Sequence, residues 1–472
     1  MNLLDAFAKR VAAHPERPAI IDGRGRTTSY GSLDSRACAL AAAWRERGLR
    51  EGDRVLLAMP LNADLYAALA ALWRIGAVAV FPEPALGLAG LRHAVAATRP
   101  RAFLAAGAYR LLPLLVPALR RASLHLGTRA AVAPDPGLAD LLPEAPALIS
   151  FTSGSTGSPK AIERTHGFLV AQDRALAPLL QSDREEIDLV AFPVFVIANL
   201  GAGVTSLLPN WRLAAPAKAK ARAIHRQIER QAVTRLLLSP AIAAKLAAVG
   251  VPGRVRTIFT GGGPVFPDLI AKLQASAPAC DIVAVYGSTE AEPIAHLHAR
   301  DIGDADWAAM RGGAGLLAGM PTENISVRIL DDEILVAGDH VVRGYVDPAH
   351  NAATKLQGAD GTIWHRTGDG GRFDAHARLW LRGRMEGRIG GLWPFEVEAP
   401  ARLWPGVRIA ALGSRGGTAV LAIEGDPRHA ATWRERAAVL GVGIVVVPRI
   451  PVDRRHGSKV DRQALLTLLA RA

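Results

Sequence analysis

Short apolar runs alternate with stretches of helical periodicity along most of this 472-residue chain, and that alternation restricts its fold most. Leu33 to Arg47 places apolar residues at helical spacing and stops at Gly48. Asp53–Met59 reads as a buried strand, Ala63–Ile75 as a helix closed by Gly76, and Ala77–Phe81 as the next strand. Strands and helices in this order imply parallel sheets covered by helices on their faces. The rhythm returns as strand Val190–Val196, helix Ala219–Gln231, strand Arg235–Leu238, helix Pro240–Val249, strand Val255–Phe259, helix Pro267–Ser276 and strand Ile282–Val285. From Ser326 onward the pattern changes to short strands, Ser326–Leu330 and Glu333–Val336, with Gly and Asp turns. The expected fold is α/β. A large N-terminal domain, 1–383, holds two α/β subdomains and a β-rich subdomain, and a small α+β lid domain follows over 384–472.

Half of the residues are hydrophobic, enough to bury a full core, so global disorder is excluded. The formal net charge is +13, which raises nucleic acid as a partner. The arginines are scattered singly, however, and aromatic residues are only 5%, so no interleaved stacking surface forms. The densest basic stretch, Lys218 to Arg230, has the spacing of a solvated helix face, and no nucleic-acid partner is expected. Only eight of the 56 basic residues are lysine, so each lysine marks a place where arginine was not used. Cys38 and Cys280 have neither a disulfide framework nor metal-ligand spacing, which suits a reducing, cytoplasmic setting. The first ten residues read as an amphipathic helix and not as a signal peptide. Leu189 to Trp211 is uncharged but broken by Pro193, Gly201, Gly203 and Pro209, so no transmembrane segment is expected and a buried strand–turn–helix accounts for it.

The strand Ala147–Phe151 runs into Thr152-Ser153-Gly154-Ser155-Thr156-Gly157-Ser158-Pro159-Lys160. Small hydroxyl residues and glycines after a strand present N–H and O–H donors to an anion, and the lysine adds a mobile positive charge. Those parts suit a polyphosphate. The Walker A frame fails, because Pro159 precedes Lys160 and Ala161 follows it. The nucleophile-elbow frame fails as well, since neither Ser153 nor Ser155 lies in Gly-x-Ser-x-Gly.

This loop resembles the signature loop of the AMP-forming adenylating enzymes, the superfamily of acyl-CoA synthetases, peptide-synthetase adenylation domains and firefly luciferase. Tyr286-Gly287-Ser288-Thr289-Glu290 is similar to the family's second signature. The resemblance implies that Tyr286 stacks on adenine, Thr289 bonds phosphate and Glu290 holds Mg²⁺ as the metal residue. Gly261-Gly262-Gly263-Pro264 resembles the glycine-rich turn that lines the adenine and acyl pockets. Thr367-Gly368-Asp369 resembles the third signature, whose Asp takes both ribose hydroxyls as an acceptor-only group. Gly383-Arg384-Met385-Glu386 resembles the start of the hinge, with Arg384 implied at ribose or phosphate and Glu386 at the hinge position. Near the C-terminus, Gly457-Ser458-Lys459 stands where the family has its catalytic lysine. An ammonium suits that position because a carboxylate attacking a phosphate brings two anions together.

The resemblance implies that a carboxylic acid and Mg·ATP give an acyl-adenylate and pyrophosphate, with transfer to CoA or a carrier-protein thiol to follow. After the hinge, Ile389-Gly390-Gly391-Leu392-Trp393 reaches Pro394-Phe395-Glu396-Val397-Glu398 about four residues earlier than in relatives, shortening the loop implied to line the pantetheine tunnel. Phe192 to Gly201, Glu290 to Ala295 and Pro451 to His456 are similar to the olefin-pathway β-lactone synthetases. In those enzymes the substrate's own β-hydroxyl displaces AMP, which is the alternative second step. Val196, Ile197 and Gly261 are the expected acyl-pocket residues, and Pro193–Leu208 carries no charge, so a fatty or aryl acid is expected over an amino acid. His296 and His298 stand two apart without a third ligand and read as core or surface histidines.

Overall fold

The computed structural model describes residues 1–82, 84–131, 135–152, 159–453 and 457–471. Residues 153–157 of the expected phosphate loop, Ser153, Gly154, Ser155, Thr156 and Gly157, therefore lie outside the described residues. The fold is mixed α/β, built on large sheets as the alternating sequence requires.

A six-stranded sheet has the order Leu124–Leu126, Ala102–Ala105, Arg54–Ala58, Val78–Phe81, Pro146–Thr152 and Lys160–Thr165. Its first five strands are parallel and the last is antiparallel to Pro146–Thr152. The connecting helix Ala63–Ile75 begins where the Asn62 side chain accepts from the Leu65 N–H at 3.3 Å, and ends at Gly76 with φ +83°. Only a residue without Cβ takes that left-handed turn without strain. Leu65, Leu69, Leu72 and Trp73 of this helix sit in the central core with Val190 and Leu237 from the second sheet and with Val196 from the segment that follows Val190.

The second sheet has 14 strands among the described residues. Its parallel part orders Pro18–Ile21, Thr205–Leu207, Ile187–Val190, Arg235–Leu238, Thr257–Gly261 and Asp281–Ser288. Antiparallel strands continue it through Ala291–His298 and Leu316–Pro321 to Leu379–Arg384, Ile363–Phe373 and Glu333–Ala337. The expected strand Val190–Val196 divides in two. The strand is Ile187–Val190, and Pro193 opens a helix, Pro193–Ala202. Proline lacks an N–H and has a fixed φ, which favours the first helical turn and ends the apolar run as a strand.

The last residues form their own three-stranded sheet, Val407–Arg415, Thr418–Gly425 and Gly443–Val446, with helices Pro394–Arg402, Ala430–Val439 and Arg462–Leu469. This unit rests on the body through an edge-to-face contact of Phe395 with Phe266, 5.6 Å between centroids. Beside it Arg402 Nε donates to Asp268 Oδ1 at 3.0 Å.

Candidate active site

Parallel strands bring their carboxyl ends to one edge, and open α/β sheets hold ligands there. In the first sheet that edge holds Thr152, the register partner of Lys160, so both ends of the expected phosphate loop are fixed side by side. In the second sheet it holds Gly261, Gly262 and Gly263 at the end of Thr257–Gly261 and Tyr286 to Glu290 at the end of Asp281–Ser288. The two sheets are tied at this point, because Arg164 Nη2 donates to the Thr289 carbonyl at 2.9 Å.

The glycines answer to close packing. A Cβ at Gly261 would stand 2.6 Å from the Val285 carbonyl oxygen, and Gly262 has φ +72°. A Cβ at Gly263 would overlap the Ser458 hydroxyl and lie 3.7 Å from Lys459 Cγ. The expected catalytic lysine thus sits against the glycine-rich turn, although the two are almost 200 residues apart in sequence. Its loop is shaped by Asp453, whose Oδ1 accepts from the N–H groups of Ser458 at 3.0 Å and Lys459 at 2.8 Å.

Asp369 and Arg384 are register partners on adjacent strands. Arg384 Nη1 donates to the Thr367 carbonyl at 2.7 Å and to Asp369 Oδ1 at 3.2 Å, while the Tyr286 hydroxyl donates to Asp369 Oδ2 at 2.9 Å. Burial, then the Asp369 charge, raises the Tyr286 phenol well above its ordinary value, so it stays a donor. Each Asp369 oxygen spends one lone pair on the protein and keeps others for a vicinal diol.

A second cluster centres on Tyr345. Its hydroxyl donates to Glu290 Oε1 at 3.0 Å, and its ring lies 5.4 Å from Lys160 Nζ and 5.7 Å from Lys355 Nζ. Lys355 also donates to the Val342 carbonyl. Burial lowers the Lys355 ammonium to about 8 against the opposing pull of Glu290. Burial, then the Lys355 charge, lowers His365 to about 4, so the imidazole is neutral at pH 7. Burial alone would raise Glu290, but the hydrogen bonds it accepts, that of the Tyr345 hydroxyl among them, favour the carboxylate and its pKa is lowered. Tyr345, Lys355 and His365 were not expected from the sequence. The scarcity of lysine was the signal that could have found Lys355.

Two buried hydroxyls here, Thr260 Oγ1 and Ser458 Oγ, have no hydrogen-bond partner among the described residues. An unpaired buried polar group costs about 1–3 kcal/mol, which a ligand's oxygens would offset. Gly287 lies near the end of the strand Asp281–Ser288, where the register to the antiparallel neighbour shifts and a Cβ would stand 3.0 Å from the Ala291 carbonyl oxygen. Val196 is fully buried in the core, whereas Ile197 is partly exposed beside it. Glu386 is exposed in the short helical turn Met385–Gly387 after the strand that carries Arg384. His298 is paired to Asp281 at 2.9 Å.

The family model for AMP-binding enzyme matches residues 7–346. The chain belongs to that family. An olefin beta-lactone synthetase of Xanthomonas campestris is 32% identical across 93% of this chain and 90% of that protein. A phenyloxazoline synthase of Mycobacterium tuberculosis is 30% identical across 99% of this chain but 35% of that longer protein. ATP-bound MatB of Rhodopseudomonas palustris has the same fold, with a TM-score of 0.83, 21% identity and coverage of 100% and 99% of the two chains. The family member described here is an AMP-forming acid ligase, using ATP to activate a carboxylic acid as its acyl-adenylate. No helix among the described residues is long and apolar enough to cross a membrane.

Proposed function

We propose that this ligase activates an apolar β-hydroxy acid, and that the acid's own hydroxyl then closes a β-lactone on the adenylate. In the first step a carboxylate oxygen attacks the α-phosphorus, the bond to the β-phosphate oxygen breaks, and pyrophosphate leaves. Lys459 is placed to bridge the attacking carboxylate and the α-phosphate as negative charge spreads. Asp369 holds the ribose hydroxyls, Arg384 keeps Asp369 in place, and the Tyr286 ring faces adenine. Thr152, Lys160 and the loop between them take the phosphates together with Ser288 and Thr289. Gly262 and Gly263 let the adenylate approach the backbone.

Mg²⁺ fits the ionised Glu290 oxygens, a hard donor set, and would neutralise part of the triphosphate charge. Ile197 and Gly261 line the acyl side with Val196 behind them, and Pro193–Leu208 carries no charged side chain to pair an amino acid's ammonium.

In the second step the β-hydroxyl oxygen attacks the acyl carbon, AMP leaves with the mixed-anhydride oxygen, and the hydroxyl proton is released. The observation that carries this reading is the loop after the hinge. Ile389 and Leu392 exchange backbone hydrogen bonds at 3.1 and 2.9 Å around Gly390 and Gly391, both at positive φ. A two-residue turn replaces the loop that the family resemblance assigns to a pantetheine tunnel, and an intramolecular acceptor needs no tunnel. Similarity to the olefin beta-lactone synthetase supports the same reading.

A second reading, transfer to CoA or a carrier-protein thiol, is favoured by similarity to the phenyloxazoline synthase. In either case residues 384–472 act as the moving lid, turning at Glu386, and the ATP supply points to the cytoplasm. The test is pyrophosphate release with fatty, aryl and β-hydroxy acids, with and without CoA, with products weighed by mass. CoA-independent turnover of β-hydroxy acids, with loss of water from the product, supports lactone formation. A thioester product replaces it with the second reading.

A further inference from the structure

Residues 84–134 contain seven arginines and no aspartate or glutamate. Within them Gly107–Leu111, Leu112–Leu115 and Pro117–Arg121 form three short helical turns after the strand Ala102–Ala105. Val116 and Leu119 are buried against Phe103, Ile149 and Phe151, with Leu112 packed beside them. The opposite side is also apolar. Leu111 is 61% exposed, Leu114 64% and Leu115 54%, with Tyr109 and Leu88 exposed nearby.

A helical segment covered by water has one apolar face, and one that is apolar all round is surrounded by nonpolar material. Here the core covers one face and none of the described residues covers the other. Large exposed apolar patches mark interaction sites. Arg110, Arg120 and Arg121 belong to the same turns, all exposed and without a carboxylate partner among the described residues. Arg92 Nη2 donates to the Leu115 carbonyl at 3.2 Å, which ties the ridge to the helix Gly87–Thr98, and Arg120 Nε donates to the Pro113 carbonyl at 3.0 Å within the ridge.

We propose that this ridge docks the protein on an anionic lipid bilayer, leucines inserted among the acyl chains and arginines at the phosphate level. Protruding leucines in a cationic collar match the bilayer's sequence of layers, and an unbroken run without acids suits its diffuse negative charge. A peptide or protein partner of defined shape would call for a groove, whereas Leu111, Leu114 and Leu115 are each more than half exposed. The ridge leaves the carboxyl end of Ala102–Ala105, which lies parallel to Arg54–Ala58, Val78–Phe81 and Pro146–Thr152. It therefore emerges at the same sheet edge as Thr152, so docking would face the nucleotide edge towards a source of water-insoluble acid.

The test is flotation of the full chain with phosphatidylcholine vesicles, with and without about one-third phosphatidylglycerol, at low and high salt. The protein is expected to float with the anionic vesicles and to be released by salt. Leu111→Ser/Leu114→Ser/Leu115→Ser and Arg110→Gln/Arg121→Gln are each expected to weaken binding at least about tenfold. Pyrophosphate release with a water-soluble acid should stay unchanged in both. As a single-site check, the emission of Leu114→Trp is expected to be quenched by brominated phosphatidylglycerol. Failure to float, undiminished flotation of the leucine variant, or absence of quenching overturns the proposal. So does concentration-dependent self-association abolished by the leucine changes, which would mean that a second copy covers the ridge.

Discussion

The Tyr286 hydroxyl donates to Asp369 Oδ2 at 2.9 Å, joining two strands through residues 83 apart in sequence. Arg384 holds the other carboxylate oxygen, so Asp369 is oriented before any nucleotide arrives. A ligand that meets a fixed acceptor loses less entropy on binding. Asp369→Ala is expected to weaken ATP binding roughly 10- to 100-fold, the value of hydrogen bonds to a charged group. Tyr286→Phe keeps the ring and loses only the tether, so its loss should be smaller. Calorimetric titration with ATP checks both, and an unchanged affinity in the Asp369 variant would remove it from the ribose site.

Lys459 lies at the glycine-rich turn but belongs to the C-terminal unit, so its charge is needed mainly once the acid and phosphate react. Lys459→Ala should lower pyrophosphate release by roughly 100- to 1,000-fold. ATP affinity should change far less, because the lost interaction belongs to the transition state. Isotope exchange between pyrophosphate and ATP, read beside equilibrium ATP binding, separates these effects. Near-normal exchange would mean that another cation does this work.

Much of this site was legible because its signatures are local. Tyr286 to Glu290 and the glycine-rich turn stand at the carboxyl ends of their strands, where backbone geometry places ligands, and Thr367 to Asp369 is a short contiguous motif inside the strand Ile363–Phe373. The helix Ala63–Ile75 was equally readable, since its apolar spacing and its terminal Gly76 agree. Illegible were the contacts that only tertiary structure makes. Tyr345, Lys355 and His365 meet Glu290 from three separate segments, and no spacing in the sequence announces that meeting. The apolar run after Val190 misled for a different reason: periodicity cannot tell a buried strand from a buried helix, and Pro193 decided the matter.

Lys355 is a buried cation between the Tyr345 ring and the Val342 carbonyl, close to the Glu290 charge. Lys355→Met retains the length of the side chain and removes the charge. Glu290 would then lose a compensating cation, and the triphosphate region would keep Lys160 as the nearer ammonium. The expected result is a rise in KM for Mg·ATP of roughly tenfold, with a smaller effect on kcat. Steady-state pyrophosphate release across an ATP series reads the split. A pure loss of thermal stability with unchanged KM would make Lys355 a structural residue only.

His166 supplies the pH dependence that is easiest to isolate, because it is fully buried away from the nucleotide edge. Its Nδ1 accepts from the Leu3 N–H at 3.2 Å, so the ring is neutral in the folded chain. Burial, reinforced by the chain's amino terminus, lowers its pKa to about 4. The unfolded chain binds this proton near 6.5, so between these values the unfolded state holds more protons than the folded one. Stability therefore falls as the pH drops below about 6.5, and the loss grows until about pH 4. At about pH 5.5 the contribution of this one group is about 1.4 kcal/mol. In His166→Asn the amide oxygen can still accept from Leu3 but does not titrate. Urea unfolding at about pH 7.5 and about pH 5.5 should show a smaller drop for this variant than for the parent, by about that amount. Equal drops in the two proteins would mean that His166 takes up its proton without disturbing the fold.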